Sequence, residues 1–290
     1  MHVKPVYHRQ ICEGHLEIAV YGACRNWRFA GGTAQEMDEA NPGIVNALQK
    51  VITRHRIERA LVPRPVFGTD IVNRVQLTQM LFPRFYRGAQ ADGVRLNFTN
   101  DAYLLSSADC PCVVICDPRK AIALAMHAGR DALIDRDLIA GKPARAQFSV
   151  IDRAMDLMRN RGWVKGSPLY VFIAAGIGPI GFTHPTTPTF WGEDNQEYVN
   201  DRHASNRELI TYLKQTYDRF HFNIVTDDDR GSIDLVELII AQLSEYGVTR
   251  EQIEWDGVDT AFDQDENNQF LFHSWRRDPE TRNLVMVKLH

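Results

Sequence analysis

Two kinds of hydrophobic pattern alternate along the chain. Short, mainly apolar runs such as Leu16–Tyr21, in which Glu17 is the one polar residue, and Val113–Cys116 predict buried strands, because their length fits a strand and turn residues bound them. Between such runs apolar residues recur at helical spacing, as at Ile44 and Leu48. The two kinds of segment interleave without a repeat, a low-complexity segment or a dividing linker. The pattern therefore predicts a single mixed α/β domain spanning residues 1–290.

Capping residues set the predicted helix starts. Asn41 followed by Pro42 predicts an N-cap and a first helical residue, and Ser149 with Asp152 predicts an acidic capping box. The predicted helices run from Asn41 to about His55, from about Asp131 to Ala140, from Ser149 through Met158, from Ser205 to about Asp218 and from Ser232 to Gly247. The other predicted strands are Ala60–Val62, Ile71–Val72, Val94–Phe98, Ala121–Met126, Leu169–Ala174, Phe222–Val225, Ile253–Val258 and a terminal hairpin of Phe270–Trp275 and Leu284–Leu289. The segment Gln76–Gly88 fits either a helix that ends at Pro83 or a loop.

The polar breaks in the middle of the chain carry the reactive side chains. Asp109 and Cys110 precede the strand Val113–Cys116, and His127 ends the next apolar run. A thiol and an imidazole at the same ends of neighbouring elements can form a catalytic dyad or supply two metal ligands. The function of the chain therefore depends mainly on Cys110 and His127.

Composition removes several classes of function. The net charge is −4 and no long block of Lys and Arg occurs, which argues against a nucleic-acid partner. No run of about 18 apolar residues could span a membrane, and the N-terminus lacks the apolar core of a signal peptide. Five cysteines, an odd number, fit a reducing compartment better than a disulfide framework. A cytoplasmic location is expected.

Several motifs, in their order along the chain, resemble the YfiH-type laccase-domain family. This family is also called multicopper polyphenol oxidoreductase, purine nucleoside phosphorylase and peptidoglycan editing factor. The core "TADC…D…HAGWRG" is similar to Ser107–Pro111, Asp117 and His127–Gly129. Phe67–Val72 is similar to the family's "HGTDVV", Ala91–Gly93 to its "ADG", and Gly178–Gly181 to its "GPxIG". Ile233–Gly247 is similar to its helix "LDLxxxNxxQLxxxGV". The family's C-terminal motif "CTxxD…FFSYRR" is similar to Asp259, Thr260 and Asp263 followed by Phe272–Arg277. The resemblance covers residues 41–289.

The resemblance implies a fold and a substrate class. The fold is a four-layer α-β-β-α sandwich with mixed sheets, as in the deamidase domain of cytotoxic necrotizing factor toxins. The implied chemistry is phosphorolysis or deamination of purine nucleosides, with phosphate or water as the second substrate. In the family two His and one Cys can bind zinc, and Cys110 and His127 correspond to two of these ligands.

Three departures from the family pattern change the predicted site. Phe67 replaces the His of the "HG" turn and cannot bind a metal, while His273 stands where the family carries Phe. This exchange either moves the third zinc ligand to His273 or leaves only two ligands. "HAGWRG" has become His127 to Ala132 with the Trp lost, and Asp259 replaces the Cys of "CTxxD".

Two further residues are candidates for roles beside the pair. Asp109 can orient His127 or cap a turn, and Arg276 can hold a phosphate or carboxylate through paired hydrogen bonds. Three functions stay open: a nucleoside-processing enzyme that contains zinc, a metal-free Cys/His hydrolase or deamidase, and a degenerate member that binds or scaffolds. In the metal-free case a neighbouring imidazole favours the thiolate, which attacks a carbonyl or amidine carbon.

Overall fold

The computed structural model describes residues 3–120, 122–186, 205–217 and 221–290. Within them are two large mixed sheets, a short two-stranded sheet and seven α-helices. The strands are β1 Tyr7–Ile11, β2 Leu16–Tyr21, β3 Arg59–Leu61, β4 Ile71–Asn73, β5 Gln79–Phe82, β6 Phe85–Arg87, β7 Gly93–Leu96, β8 Asp101–Ser107, β9 Cys112–Asp117, β10 Ile122–His127, β11 Tyr170–Ala174, β12 Val225–Asp227, β13 Ser232–Ile233, β14 Ile253–Trp255 and β15 Asn283–Leu289. The helices are α1 Ala34–Ala40, α2 Ile44–Arg54, α3 Arg130–Leu133, α4 Arg136–Ile139, α5 Val150–Arg159, α6 Asn206–Tyr217 and α7 Leu235–Glu245. None of these helices has the length and hydropathy needed to cross a membrane.

The two large sheets stack face to face. The first has the strand order β1-β2-β15-β8-β3-β6-β5, and the second has the order β14-β11-β9-β10-β7-β4. The apolar core between them includes Ile18, Tyr103 and Leu105 from the first sheet and Val114 and Phe172 from the second. Stacked sheets bury one face of every strand in this way.

A helical layer covers the outer face of each sheet. Leu48 and Val51 of α2 pack with Tyr21 and Met286 on the first sheet. On the second sheet, apolar residues of α5, α6 and α7 pack with strand residues such as Ile115. The four-layer α-β-β-α sandwich with mixed sheets that the sequence predicts is therefore confirmed.

Strand β9 shows why the central strands are apolar throughout. Its residues Cys112, Val114 and Cys116 face the core between the sheets, whereas Val113 and Ile115 face the helices. Alternate side chains of a strand point to opposite faces, so a strand covered on both sides is apolar on both faces, and in β9 the one charged residue is the last, Asp117.

The sheet register places the reactive residues together. β9 pairs antiparallel with β10, and His127 at the end of β10 lies opposite Cys112 at the start of β9. Cys110 lies two residues before Cys112, in the connection from β8 to β9. This connection crosses from the first sheet to the second, so the Cys110 turn bridges the two halves of the sandwich.

Several predicted elements need correction. Gln76–Gly88 is neither a helix nor a loop, because it contains the β5–β6 hairpin, whose turn includes Pro83 and Arg84. The predicted terminal hairpin is also wrong: Phe270–Trp275 forms turns and bends, and β15 pairs instead with β2 and β8.

The predicted helix starts are partly wrong as well. Gly43, in the left-handed conformation, is the N-cap of α2, while Asn41 ends α1. Asp234, and not Ser232, caps α7 through bonds to two backbone N–H groups. The expected helix 131–140 is two short helices, because the Asp135 side chain caps a new helix after the first one ends. The capping box at Ser149 is confirmed, and the expected helix end at Asp218 lies outside the described residues.

Candidate active site

A cavity of about 380 Å³ lies where the β8–β9 connection meets the end of β10. Both residues of the predicted pair line it, Cys110 partly exposed and His127 buried. The other lining residues include Phe67, Asp109, Arg130, Asp131, Phe182, His184, Trp275, Arg276 and Arg282. Residues from distant parts of the sequence therefore meet around one thiol and one imidazole.

Cys110 and His127 are in direct contact. The two side chains share a hydrogen bond, and both lie against Gly129. A Cβ atom on Gly129 would be 2.8 Å from the Cys110 Sγ and 3.2 Å from the His127 Nε2. Glycine at this position lets the sulfur and the ring nitrogen approach over its backbone.

Asp92 orients His127 from the opposite side of the ring. Its Oδ1 lies 3.1 Å from the His127 Nδ1, and the carboxylate is fully buried. The backbone N–H groups of Phe67 and Gly68 donate to the same carboxylate at 3.1 and 2.7 Å. A buried carboxylate held this firmly fixes the tautomer and the orientation of the imidazole. Cys110, His127 and Asp92 thus form a triad of the nucleophile–base–orienter kind.

The charge balance of the triad favours the imidazolium. Burial by itself disfavours a charged His127, but the negative charge of the Cys110 sulfur and the bond to Asp92 outweigh it, and the pKa of His127 rises to about 10. The raised pKa means that the imidazolium form of His127 persists to higher pH than in a free histidine.

Asp109 does not contact His127. Its Oδ1 accepts a hydrogen bond from the Thr260 hydroxyl at 2.8 Å, and its Oδ2 accepts from the Arg276 backbone N–H at 3.3 Å. Of the two roles considered for Asp109, its contacts fit the holding of a turn. It ties the Cys110 turn, where its own φ is +75°, to the segment that carries Arg276.

Phe67 stands where the family resemblance predicts the third metal ligand. Its ring lies edge to face with His127, with the centroids 5.5 Å apart, and 57% of the residue is exposed. A phenyl ring offers no ligand atom, so this side of the imidazole has an apolar wall.

The structure does not bring His273 to the pair. Its Nε2 lies 3.0 Å from the carbonyl oxygen of Arg25, and its backbone N–H donates to Asn283. Within the described ranges, the one group of three His, Cys, Asp or Glu ligand atoms that are close enough for a metal is His8, Glu17 and His55. A zinc or copper site needs at least three protein ligands, so the residues around Cys110 and His127 do not fit one.

Two arginines of the C-terminal segment differ in their surroundings. Arg276 lines the cavity beside Phe182 and Trp275 and donates to the Thr183 carbonyl at 3.1 Å. Arg277 instead stacks on Phe270 and donates to backbone carbonyls of its own loop region. Of the two, only Arg276 lines the cavity.

His184 also lines this cavity. It is 3% exposed, and neither ring nitrogen has a hydrogen-bond partner within the described part of the chain. Burial, with Arg130 and Arg276 nearby, holds the pKa of His184 well below its usual range. A neutral imidazole that faces the cavity offers one donor and one acceptor to a ligand.

Sequence reasoning missed the role of Asp92. The signal was present, since Asp92 belongs to a family-like motif directly before β7, and β7 pairs with β10. His184 carries no such signal, because burial against a cavity cannot be read from Thr-His-Pro.

Comparison with known proteins agrees with the fold and the motifs. The family profile described as multi-copper polyphenol oxidoreductase laccase matches residues 35–289. Similar solved structures include YlmD from Geobacillus stearothermophilus, with 19% identity, a TM-score of 0.63 and coverage of 95% of this chain and 92% of that one. The hypothetical protein YfiH from Bacillus licheniformis has 17% identity, a TM-score of 0.61 and coverage of 95% and 93%. Protein NMB0706 from Neisseria meningitidis has 15% identity, a TM-score of 0.58 and coverage of 95% and 94%.

A search of curated proteins finds none that matches this chain. The three structures share its fold, and the family profile spans most of its length. The chain therefore belongs to the YfiH-type, multi-copper polyphenol oxidoreductase laccase family.

Proposed function

We propose that this chain is a metal-independent thiol enzyme that deaminates a small amidine-containing molecule, with purine nucleosides as the substrate class that the family resemblance implies. The observation that carries the proposal is the Asp92–His127–Cys110 triad at the cavity, with Phe67 in place of the third metal ligand. A triad of this kind supports covalent catalysis without a metal.

The proposed reaction proceeds through a covalent intermediate on Cys110. The thiolate sulfur forms a bond to the amidine carbon, and the electrons of the carbon–nitrogen double bond move to nitrogen. His127 gives its proton to the leaving amino group, so ammonia departs and the carbon–sulfur bond is kept. Water then adds to the carbon, neutral His127 takes a proton from it, and the carbon–sulfur bond breaks. One water is consumed and one ammonia is released.

The cavity walls suit a flat, polar substrate. Phe67, Phe182 and Trp275 supply aromatic surface against which a ring can stack. His184 supplies one hydrogen-bond donor and one acceptor. The nucleoside class is consistent with these walls, although an aromatic amidine of another kind meets the same requirements.

A second candidate, phosphorolysis of a purine nucleoside, is favoured by one observation. Arg276 and Arg282 both line the cavity, and a guanidinium binds phosphate oxygens through paired hydrogen bonds. In this reaction the phosphate would displace the base from the sugar, and His127 would protonate the leaving base.

The deciding experiment offers purified protein adenosine and inosine, with and without phosphate, in the presence of a strong chelator. We expect ammonia release from adenosine that needs no phosphate, survives chelation, and is lost in Cys110→Ser and after treatment with iodoacetamide. Cys24→Ser is the matched control, since Cys24 is a second exposed free thiol away from the cavity lining.

Four results would decide against this proposal. Inactivation by the chelator would show that a metal is required. Release of free base only when phosphate is present would select phosphorolysis. Unchanged activity in Cys110→Ser would remove the thiol from the mechanism, and the absence of any turnover would point to a binding or scaffold role.

A further inference from the structure

A second cluster of metal-binding residue types lies on the outer face of the first sheet. His8 comes from β1, Glu17 from β2, and His55 follows the end of α2. The His8 Nε2 and the His55 Nδ1 lie 2.8 and 2.6 Å from the same oxygen, Oε1 of Glu17. All three ligand atoms lie within 4.8 Å of one another.

The cluster is separate from the Cys110 cavity. Glu17 pairs with Lys288, which pairs with Ala102 at the start of β8. The Cys110 turn leaves the other end of β8, after Ser107. Ala102 and Ser107 are five positions apart along β8, which is about 16 Å at the usual rise per residue.

From this geometry we infer that His8, Glu17 and His55 form a site for a divalent cation of the zinc type. Two imidazole nitrogens and one carboxylate oxygen are a ligand set that zinc accepts, with solvent in the fourth position. Tetrahedral coordination at about 2.0–2.1 Å requires the ligand atoms to spread to about 3.3 Å. His8 has half of its side chain exposed and is free to make this movement.

The surroundings of His55 support this assignment. Its side chain is 3% exposed, and its Nε2 lies 2.6 Å from the Tyr21 hydroxyl. In the tautomer whose Nε2–H donates to Tyr21, the Nδ1 atom carries a lone pair that faces Glu17 and can bind a metal. Outer partners of this kind orient metal-binding histidines in known sites.

Glu17 carries the charge that a cation needs. Its side chain is 11% exposed, and its Oε1 lies within hydrogen-bond distance of both histidine rings. Its second oxygen, Oε2, faces His290 at 3.5 Å and Lys288 at 3.9 Å. The Lys288 charge opposes a cation but lies on the Oε2 side, whereas both histidines approach Oε1.

The inference is tested by titrating the full chain with Zn²⁺ and, in parallel, with Co²⁺. We expect one equivalent of zinc to bind, with at least a 10-fold loss of affinity in His8→Ala and no change in Cys110→Ser. The Co²⁺ complex should show tetrahedral d–d bands without the near-ultraviolet band of a cobalt–thiolate bond. His15→Ala is the matched control, as it removes a neighbouring histidine outside the cluster.

Each other result overturns the inference. Unchanged affinity in His8→Ala would place the metal elsewhere, and a thiolate band that disappears in Cys110→Ser would place it at the cavity. The absence of zinc binding would show that the cluster is an ion-pair network only. Because His8 is half exposed, the variant should fold, and its thermal unfolding verifies this in the same preparation.

Discussion

At the scale of single residues, Asp92 orients the imidazole of the site. It is the one carboxylate within the described residues that bonds to the His127 ring, and three N–H groups of Val66, Phe67 and Gly68 hold it in place. The pair was predicted from the sequence, but this partner was not, because 35 residues separate Asp92 from His127. Local patterns carry no information on which distant carboxylate faces a given imidazole.

Replacement of Asp92 by Asn should lower the pKa of His127. The folded pKa of about 10 lies above the ordinary value of 6.5, so the imidazolium and its contribution to stability are complete below pH 6.5 and disappear as the pH rises through 10. In Asp92→Asn we expect this transition at lower pH, with a fall in activity at neutral pH of about 10-fold or more. NMR titration of the His127 ring measures the transition directly.

The control for this experiment is Asp109→Asn. Asp109 also lines the cavity, but its carboxylate bonds to Thr260 and Arg276. The Asp109→Asn variant should therefore leave the pKa of His127 nearly unchanged. A larger shift in Asp109→Asn than in Asp92→Asn would mean that the wrong carboxylate has been identified.

Phe67 explains, at the same scale, why the pair lacks a metal site. The substitution Phe67→His should create a metal site, because the ring at this position already touches His127. The backbone φ of 55° also suits His better than Phe, since His is among the residues enriched in the left-handed region. In a His8→Ala background we expect a new equivalent of zinc and a cobalt–thiolate band. Phe67→Leu is the control, and equal metal content in the two variants would contradict the prediction.

At the scale of elements, burial on both faces made some strands easy to predict and partial exposure hid others. β2 matches its predicted bounds because its residues, apart from Glu17, are apolar and turns bound it. The β5–β6 hairpin was missed because β5 is largely exposed and Pro83 lies in its turn. Phe270–Trp275 is as apolar as a strand, yet it forms turns whose end lines the cavity. Nothing local distinguishes an apolar strand from an apolar cavity wall.

The turn from β10 into α3 provides a test of the site as an assembled element. Gly129 has a φ of −73°, which any residue adopts, so Gly129→Ala brings no backbone strain. Its Cβ would lie 2.8 Å from the Cys110 Sγ and 3.0 Å from the His127 Cε1. We therefore expect the pair to be forced apart, with at least a 10-fold loss of activity and a loss of unfolding free energy of about 1–3 kcal/mol at most.

The matched control is Gly32→Ala, where the nearest atoms to the new Cβ are side-chain ends at 3.4 and 3.6 Å. This variant should keep its activity and its stability. The rate at which iodoacetamide modifies Cys110 provides a second readout. An unchanged rate in Gly129→Ala would show that the sulfur and the imidazole do not depend on this close approach.

At the scale of the whole molecule, three apolar cores hold the four layers of secondary structure together. The core between the two sheets also contains a contact between two thiols. Cys12, after β1 of the first sheet, and Cys116, on β9 of the second, have their sulfur atoms 2.7 Å apart and are both buried. The sequence does not reveal this pairing, because 104 residues separate the two cysteines. The two thiols are free.

The two sulfurs should form a disulfide when the chain refolds with oxidised glutathione, since they need to approach only to about 2.05 Å. Each thiol loses one hydrogen, and two glutathione thiols are formed. In the native protein the reaction should be slow, because the hydrogen bond with Cys12 and burial both raise the pKa of Cys116. Closing a loop of 104 residues between the sheets should raise the unfolding free energy by about 2–4 kcal/mol. Peptide mapping without reductant identifies the disulfide. The Cys12→Ser variant should lose it, and the control variant Cys24→Ser should keep it. A disulfide between any other pair, or an oxidised protein no more stable than the reduced one, would contradict the predicted link between the sheets.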